Sequence, residues 1–233
     1  MTNQRVLIGT DQSLRIWNLE TKEFLSVENS NGHKDWLRTF VVLEEGLVAS
    51  GGDDKEIRVW NVTTQRMKKI LTDHQGPVYS LISFRDGKGA ENLVSGSLDR
   101  TMIIWQAFRI VKQLLAHSGV YSMAMLPNGD LASSGVGVIQ IWDGRNGFTL
   151  KKNLNLYEDS KIWSVASLES VFLVGAGADK TIRIWDVEKG VVAQSLDGHK
   201  SQIKSIVVLP NGDIVSGSED GQLGVWILKK DNV

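Results

Sequence analysis

The sequence predicts an all-β fold made of repeated four-stranded antiparallel sheets, and three observations carry that prediction. Six of the eight tryptophans, Trp17, Trp60, Trp105, Trp142, Trp185 and Trp226, stand 43, 45, 37, 43 and 41 residues apart, a period that fits one four-strand unit. Thirteen-residue segments of one pattern end at several of them: LVSGSLDRTMIIW at Trp105, LVGAGADKTIRIW at Trp185 and IVSGSEDGQLGVW at Trp226. Between tryptophans the apolar residues alternate or run briefly and are bounded by Gly, Asn and Asp, the pattern of short strands and tight turns rather than helices.

The interval from His33 to Leu71 shows how one unit is written. LRTFVVL at 37–43, LVASGG at 47–52, EIRVWNV at 56–62 and RMKKIL at 66–71 read as its four strands, with Asp53-Asp54-Lys55 as hairpin chemistry between the second and third. PNGD follows Leu126 and Leu209, and Asn-Gly is expected to form a hairpin with both residues at positive φ. A sheet of this kind has two apolar faces and cannot bury both alone, so neighbouring sheets must stack. Ahead of Trp17 only RVLIGT reads as a strand, and after Trp226 the chain reaches Val233 before a fourth strand forms. The expected count is three strands, four full units, then three strands.

Gly32-His33 and Gly198-His199 precede first strands, and His74 and His117 keep the histidine alone; Trp142-Asp143 and Trp185-Asp186 close third strands, with Trp17-Asn18 and Trp60-Asn61 as near variants. In these motifs, over essentially its whole length, the chain resembles the WD40 repeat family, while Trp105-Gln106 and Trp226-Ile227 depart from the pattern. The resemblance implies a WD40 β-propeller of four-stranded antiparallel blades: six, with the first and last incomplete, in one domain over residues 1–233. Three endings compete: a six-bladed ring with two incomplete sheets, a part of a larger propeller, or completion by another chain, including self-association through the incomplete blades.

Composition narrows the function classes. The formal net charge is -1 with a pI near 6.4, and the basic residues are scattered, so no nucleic-acid footprint is expected. There is no cysteine, which excludes disulfides and thiolate metal sites and suits a reducing compartment. MTNQRVLIGTDQ has neither a basic nor a long apolar segment, and no run approaches membrane-spanning length, so a cytoplasmic protein without membrane contact is expected. Asn61-Val62-Thr63 then reads as an ordinary turn. DGKG at 86–89 lacks the Gly-Lys-Ser/Thr ending of a phosphate loop. The four histidines recur at repeat positions instead of converging, so neither a metal nor a cofactor is expected. Lys151-Lys152 and Lys229-Lys230 read as solvated strand ends.

Counting back six residues from each tryptophan gives Asp11, Asp54, Asp99, Asp179 and Asp220, and counting back ten gives Ser50, Ser95 and Ser216. Those three serines share their units with His33, His74 and His199. Serine, histidine and aspartate together raise the possibility of a hydrolase. Three copies argue against it, because catalysis needs one site with an oxyanion hole and a cleft. Matching positions in the WD40 family form a structural chain from Trp through Ser and His to Asp, which supplies the buried indole N–H with an acceptor. The sets are His33, Ser50, Asp54, Trp60; His74, Ser95, Asp99, Trp105; and His199, Ser216, Asp220, Trp226. The Trp142 unit has Ala132 and Val136 at the counted positions, and the Trp185 unit has Glu158 and Gly175 beside Asp179.

Function is then expected where the repeats differ. Aligned first strands share a small hydroxylic third column (Thr39, Ser80, Ser122, Ser164, Ser205), whereas the second column varies: Arg38, Tyr79, Tyr121, Trp163, Lys204. The family resemblance puts this second column at the channel rim used for partners, framed by Trp36, Asp53, Leu98 and Glu219. Aromatic and arginine side chains suit binding hot spots, although aromatics also pack between sheets. The reading is a non-enzymatic protein–protein interaction scaffold that holds a partner peptide or loop. The alternatives are a substrate receptor or regulatory subunit of a larger complex, such as a ubiquitin ligase, and a serine hydrolase.

Overall fold

A computed structural model describes residues 5–26, 32–156, 160–169 and 171–228. Apart from one 3-10 turn, Gly144–Asn146, the regular structure among them is β-strand throughout. The chain divides into two compact units, Met1–Leu115 and Ala116–Val233.

The first unit holds three antiparallel meanders: β1 (Arg5–Thr10), β2 (Ser13–Asn18) and β3 (Glu23–Ser26); β4 (Leu37–Val42), β5 (Leu47–Gly52), β6 (Ile57–Asn61) and β7 (Arg66–Leu71); and β8 (Val78–Arg85), β9 (Glu91–Ser97), β10 (Thr101–Gln106) and β11 (Arg109–Leu115). The second holds β12 (Ser122–Met125), β13 (Leu131–Ser134), β14 (Val138–Asp143) and β15 (Thr149–Asn155); β16 (Ile162–Ser167), β17 (Phe172–Gly177), β18 (Ile182–Asp186) and β19 (Val191–Leu196); and β20 (Ile203–Val208), β21 (Ile214–Ser218) and β22 (Leu223–Trp226). The strands of the Trp60 unit start and stop within one residue of their expected ends.

The expectation of six blades is corrected to five. Among the described residues the β1–β3 sheet has no first strand of a unit, the one that carries the hydroxylic column. Only β4, β8, β12, β16 and β20 begin a unit, and four of their five sheets have four strands. The expected Asn-Gly turns also differ. Gly129 and Gly212 lie at φ 88°, whereas Asn128 and Asn211 do not have positive φ. The Gly129 N–H donates to Leu126 O at 2.9 Å and the Leu126 N–H to Asp130 O at 2.8 Å. That is a type I turn followed by one left-handed glycine, the three-residue hairpin loop rather than the two-residue one. Proline at the position before asparagine sets the type I geometry and explains the difference.

Alternation decides what each face buries. Ala49, Ile57 and Val59 of one sheet meet Val78, Leu81 and Trp105 of the next in a common core. In the second unit Val174, Ala176, Ile182 and Ile184 are covered by Ile203, Ile206, Ile214 and Trp226. On β22 the residues equivalent to Ile182 and Ile184 are Leu223 and Val225, and both are exposed.

The hydroxylic column stitches sheet to sheet. Thr39 Oγ1 accepts the Leu81 N–H at 3.2 Å, Ser122 Oγ the Val165 N–H at 3.2 Å, and Ser164 Oγ the Ile206 N–H at 3.1 Å. Each bond occupies a first-strand N–H that faces the neighbouring sheet, and each contributes about 1 kcal/mol net.

Candidate functional site

In three sheets the structure brings the Trp, Ser, His and Asp side chains into one chain of hydrogen bonds. Trp60 Nε1 donates to Ser50 Oγ at 2.8 Å, His33 Nε2 lies 2.8 Å from that hydroxyl, and His33 Nδ1 lies 2.9 Å from Asp54. The Trp105 set repeats this at 2.9, 2.7 and 3.0 Å, and the Trp226 set at 2.8, 2.7 and 3.1 Å. The proton positions follow from the inventory of donors. Indole can only donate, so serine must accept from it and has its own proton free for His Nε2. The carboxylate can only accept, so Nδ1 carries a proton and donates it to the aspartate.

The titration directions agree. Burial lowers the His74 pKa, outweighing the pull of Asp99 toward the charged form. For Asp99 burial works upward, but hydrogen bonds from the Thr101 hydroxyl, the Gln75 and Thr101 backbone N–H groups and His74 hold it below the ordinary carboxylate value. Asp54 is lowered in the same way, with burial opposed by His33 and the Lys34 N–H. Asp220 falls to about 2, chiefly through the Lys200 N–H.

These serines are poor nucleophiles by position. Ser50 and Ser95 are 0% exposed and Ser216 is 1% exposed, and each Oγ already accepts an indole proton. The aspartates have a second task. Asp54, Asp99, Asp179 and Asp220 each accept the backbone N–H two residues on, at 3.3, 2.8, 3.3 and 3.0 Å. This Asx turn holds the hairpin and explains why aspartate recurs where its histidine does not.

The variable second column sits on a β-bulge. The ladder between first and second strands slips between Leu37 and Thr39, Val78 and Ser80, Ile162 and Ser164, and Ile203 and Ser205. Arg38, Tyr79, Trp163 and Lys204 are the residues the strand register skips, and bulges of this kind re-aim a side chain away from the sheet. Tyr121 stands directly before β12, its N–H donating to Ser134 O at 3.0 Å. One backbone bond fixes the neighbouring hairpin beside each bulge: Asp53 to Trp36 O, Leu98 to Pro77 O, Ala178 to Lys161 O and Glu219 to Gln202 O, at 2.8–3.0 Å.

Two clusters result, one in each unit. In the first, Arg38 makes a bidentate pair with Asp53 (Nε–Oδ1 2.8 Å, Nη2–Oδ2 2.5 Å) and lies 5.2 Å from the ring centroids of both Trp36 and Tyr79. The hydrogen bond to Asp53 raises the Arg38 pKa. Trp36 is 55% exposed. In the second, Tyr121 and Trp163 meet edge to face with centroids 4.8 Å apart. Lys161 Nζ lies 5.2 Å and Lys204 Nζ 4.0 Å from the Trp163 centroid. Gln202 Oε1 accepts from Trp163 Nε1 at 3.1 Å and from Lys204 Nζ at 3.0 Å, and Lys204 also pairs with Glu219 at 3.1 Å. Burial raises the Tyr121 pKa. Lys161 and Gln202 were not legible in the sequence as members of this cluster; their only signal is their place two residues before the second column.

Residues 26–61, 65–106, 108–143, 149–186 and 190–226 each match the family described as "WD domain, G-beta repeat". The chain belongs to the WD40 repeat family. The five matched repeats cover the five sheets that begin with a first strand, and β1 and β2 fall outside them. Among similar proteins are "Cilia- and flagella-associated protein 52" of Bos taurus, 28% identical over 93% of this chain and 35% of that protein. "Periodic tryptophan protein 2" of Arabidopsis thaliana is 25% identical over 91% and 24% respectively. "Ubiquitin homeostasis protein lub1" of Schizosaccharomyces pombe is 29% identical over 79% and 30%. The chain thus spans about a quarter to a third of the length of these relatives.

Two WD40 units solve the buried indole differently. In the Trp142 unit the counted residue, Ala132, is not the acceptor. Trp142 Nε1 donates to Ser133 Oγ at 2.9 Å, and Ser133 sits opposite Gln140, the register place that Ser95 holds opposite Ile103. The hairpin there is one residue shorter, so a fixed count lands one place off. His117 is exposed, and its backbone N–H donates to the Gln140 side chain at 2.7 Å. In the Trp185 unit a Cβ on Gly175 would stand 2.8 Å from the Trp185 ring, so the indole occupies the space a serine would take. Asp179 pairs instead with Arg183, and Glu158 lies outside the described residues. Lys151 and Lys152 prove to be anchored: Lys151 pairs with buried Asp130 at 2.8 Å and Lys152 donates to Val187 O at 3.2 Å. Lys229 and Lys230 also lie outside the described residues. No helix among the described residues is long and apolar enough to cross a membrane.

Proposed function

We propose that the chain is a non-enzymatic WD40 interaction module that holds a peptide segment or loop of a partner protein against its bulge residues. The bulges carry the reading: in four sheets the ladder skips one residue, Arg38, Tyr79, Trp163 or Lys204, and a bulge re-aims that side chain, while the repeated Ser, His and Asp side chains are spent inside the sheets. Half-exposed aromatics beside cations bury large area with few rotors, which suits a contact surface. Trp36, Arg38, Asp53, Tyr79 and Leu98 serve the first unit, and Tyr121, Trp163, Lys204 and Glu219 the second. A relative named for ubiquitin homeostasis supports a second reading, in which the same surface belongs to a regulatory or receptor subunit of a larger complex.

Replacing Tyr79, Tyr121 and Trp163 together by alanine tests the reading by affinity capture from cell extract with mass spectrometry. Partners held by the wild type are expected to be lost, while stability falls by no more than about 1–2 kcal/mol, the worth of the aromatic pair and its cation contacts. Retention of the same partners, or collapse of the fold, overturns the assignment of this surface.

A further inference from the structure

The second residue after each tryptophan opens the loop between third and fourth strands: Val62, Ala107, Gly144 and Val187, with Leu228 at that place in the last sheet. Where this residue is valine or leucine, it seats in the core shared with the preceding sheet. Val62 packs against the cluster of Ile16, Val48 and Trp60, Val187 joins Leu126 and Leu173, and Leu228 lies against the cluster that holds Leu168 and Val174. Leu126 and Leu168 are the residues whose N–H closes the first-to-second hairpin of that preceding sheet, at 2.8 and 3.0 Å. Leu43, at 2.8 Å, is their counterpart in the Trp60 sheet.

The Trp105 sheet departs from this rule. Gln106 pairs with Arg109, so its loop is only Ala107 and Phe108, whereas the loops at 62–65 and 187–190 have four residues. Both loop residues lie at positive φ, 49° and 58°, where Asn-Gly is the ordinary choice. The side chain that should meet Leu43 is reduced to one methyl group, and a cavity of about 550 Å³ remains, lined by Leu43, Leu47, Leu93, Trp105, Ala107 and Phe108. In the Trp142 sheet the loop instead has five residues, 144–148, and its last, Phe148, is buried. The cavity lies wholly in the first unit, at the end of the strands away from the bulge residues.

Charge does not select the occupant. Around the mouth Glu44, Glu45 and Glu91 are balanced by Arg85, Lys68 and Lys69. Arg85 pairs with Glu44 and also opposes Glu91, Lys69 Nζ donates to the Phe108 carbonyl at 2.9 Å, and Lys68 Nζ lies 5.7 Å from the Phe108 ring centroid. What remains is the floor, where Leu43, Leu47, Leu93 and Trp105 are all buried. The volume falls in the range of about 300–1,000 Å³ typical of ligand clefts, enough for a side chain together with its flanking peptide.

We infer that this cavity is a seat for one branched aliphatic side chain, leucine above all, carried by a peptide segment of a partner protein. The incoming side chain rests on Leu43, Leu47 and Leu93 and takes the place that Val187 and Leu228 fill in their own sheets. The sibling sheets favour a peptide occupant over a free apolar molecule, because they fill the same place from a polypeptide loop. The seat is a second contact site and does not rest on the bulge surface proposed above.

Titration of the ¹⁵N-labelled protein with the capped pentapeptide acetyl-Gly-Gly-Leu-Gly-Gly-amide tests it by NMR, beside the same peptide with alanine at its centre and 3-methyl-1-butanol, the isobutyl group without a peptide. The leucine peptide is expected to saturate at millimolar concentration and to shift the Glu91, Ala107 and Phe108 amides and the Trp105 indole. The alanine peptide should bind about ten-fold more weakly, as half-burial of roughly three further carbons implies, and the alcohol should also bind more weakly than the leucine peptide. Two variants fill the seat from within: residues 187–190 grafted in place of Ala107 and Phe108, which preserves the strand register on both sides, and Ala90→Leu at the cavity wall. The amide spectrum itself reports whether each is folded, and each is expected to lose the leucine-peptide shifts. Equal binding of the two peptides, an alcohol that binds as tightly as the leucine peptide, saturable shifts elsewhere only, or undiminished binding by a folded variant overturns the inference.

Discussion

The sheets built on Trp105 and Trp142 have the same strands and the same buried indole, yet they treat histidine in opposite ways. In the first, His74 is buried and links Ser95 to Asp99. In the second, His117 lies exposed, and Ser133 alone takes the indole proton. Both tryptophans are almost fully buried. The requirement these two sheets share is therefore an acceptor for a donor that cannot be left dry, and the His–Asp extension is a reinforcement some sheets add. The Trp185 sheet removes even the serine and lets the ring fill its place over Gly175.

The largest effect expected from this comparison is at Ser95. Ser95→Ala removes the acceptor of Trp105 and the donor to His74, leaving two buried groups unsatisfied, and should cost about 2–4 kcal/mol. Ser133→Ala strands one group and should cost about 1–2 kcal/mol. His117→Ala should stay within about 0.5 kcal/mol, as exposed substitutions do. Urea unfolding midpoints check the order, and a His117 variant as damaging as the Ser95 variant would break the comparison.

Acid should sharpen it. The folded pKa of His74 is depressed, so the unfolded chain binds the extra proton first and stability falls as pH drops below the ordinary histidine value of about 6.5. That contribution is complete above this value and gone below the folded pKa. The carboxylates Asp54, Asp99 and Asp220 are depressed too. Their contribution is complete above about 4 and is lost as pH falls further, for Asp220 toward its folded value of about 2. His74→Gln should flatten the first decline and leave the second. Unfolding midpoints measured between pH 8 and 3 check both steps, and a decline near pH 6 that survives the substitution assigns it elsewhere.

How much of this was legible follows from what sets each feature. Strand ends in the Trp60 unit were readable because Gly, Asn and Asp punctuate a strict alternation. The three full hydrogen-bond sets were readable because tryptophan, serine and aspartate keep fixed spacing across a hairpin of constant length. Ser133 was hidden by one missing residue in that hairpin; pairing register, not chain distance, defines its place. The bulges left no mark, since an unpaired residue is a property of two strands in register and not of either alone. The hydroxylic column was visible, but its use as an acceptor for the next sheet's backbone depends on packing between sheets. The extra blade came from counting tryptophans, because Trp17 keeps the beat in a sheet that has no first strand among the described residues.

The partition between internal and outward residues can be read from the tryptophans themselves. Hydrogen exchange of the indole Nε1–H groups, followed by NMR, separates donors locked inside a sheet from those at its edge. Trp60, Trp105 and Trp142, each donating to a buried serine, should exchange orders of magnitude more slowly than Trp36 and Trp163, one of which is exposed while the other donates only to the Gln202 side chain. Protection of Trp163 equal to that of Trp105, or rapid exchange at Trp105, would contradict the division of labour between repeated and mismatched residues.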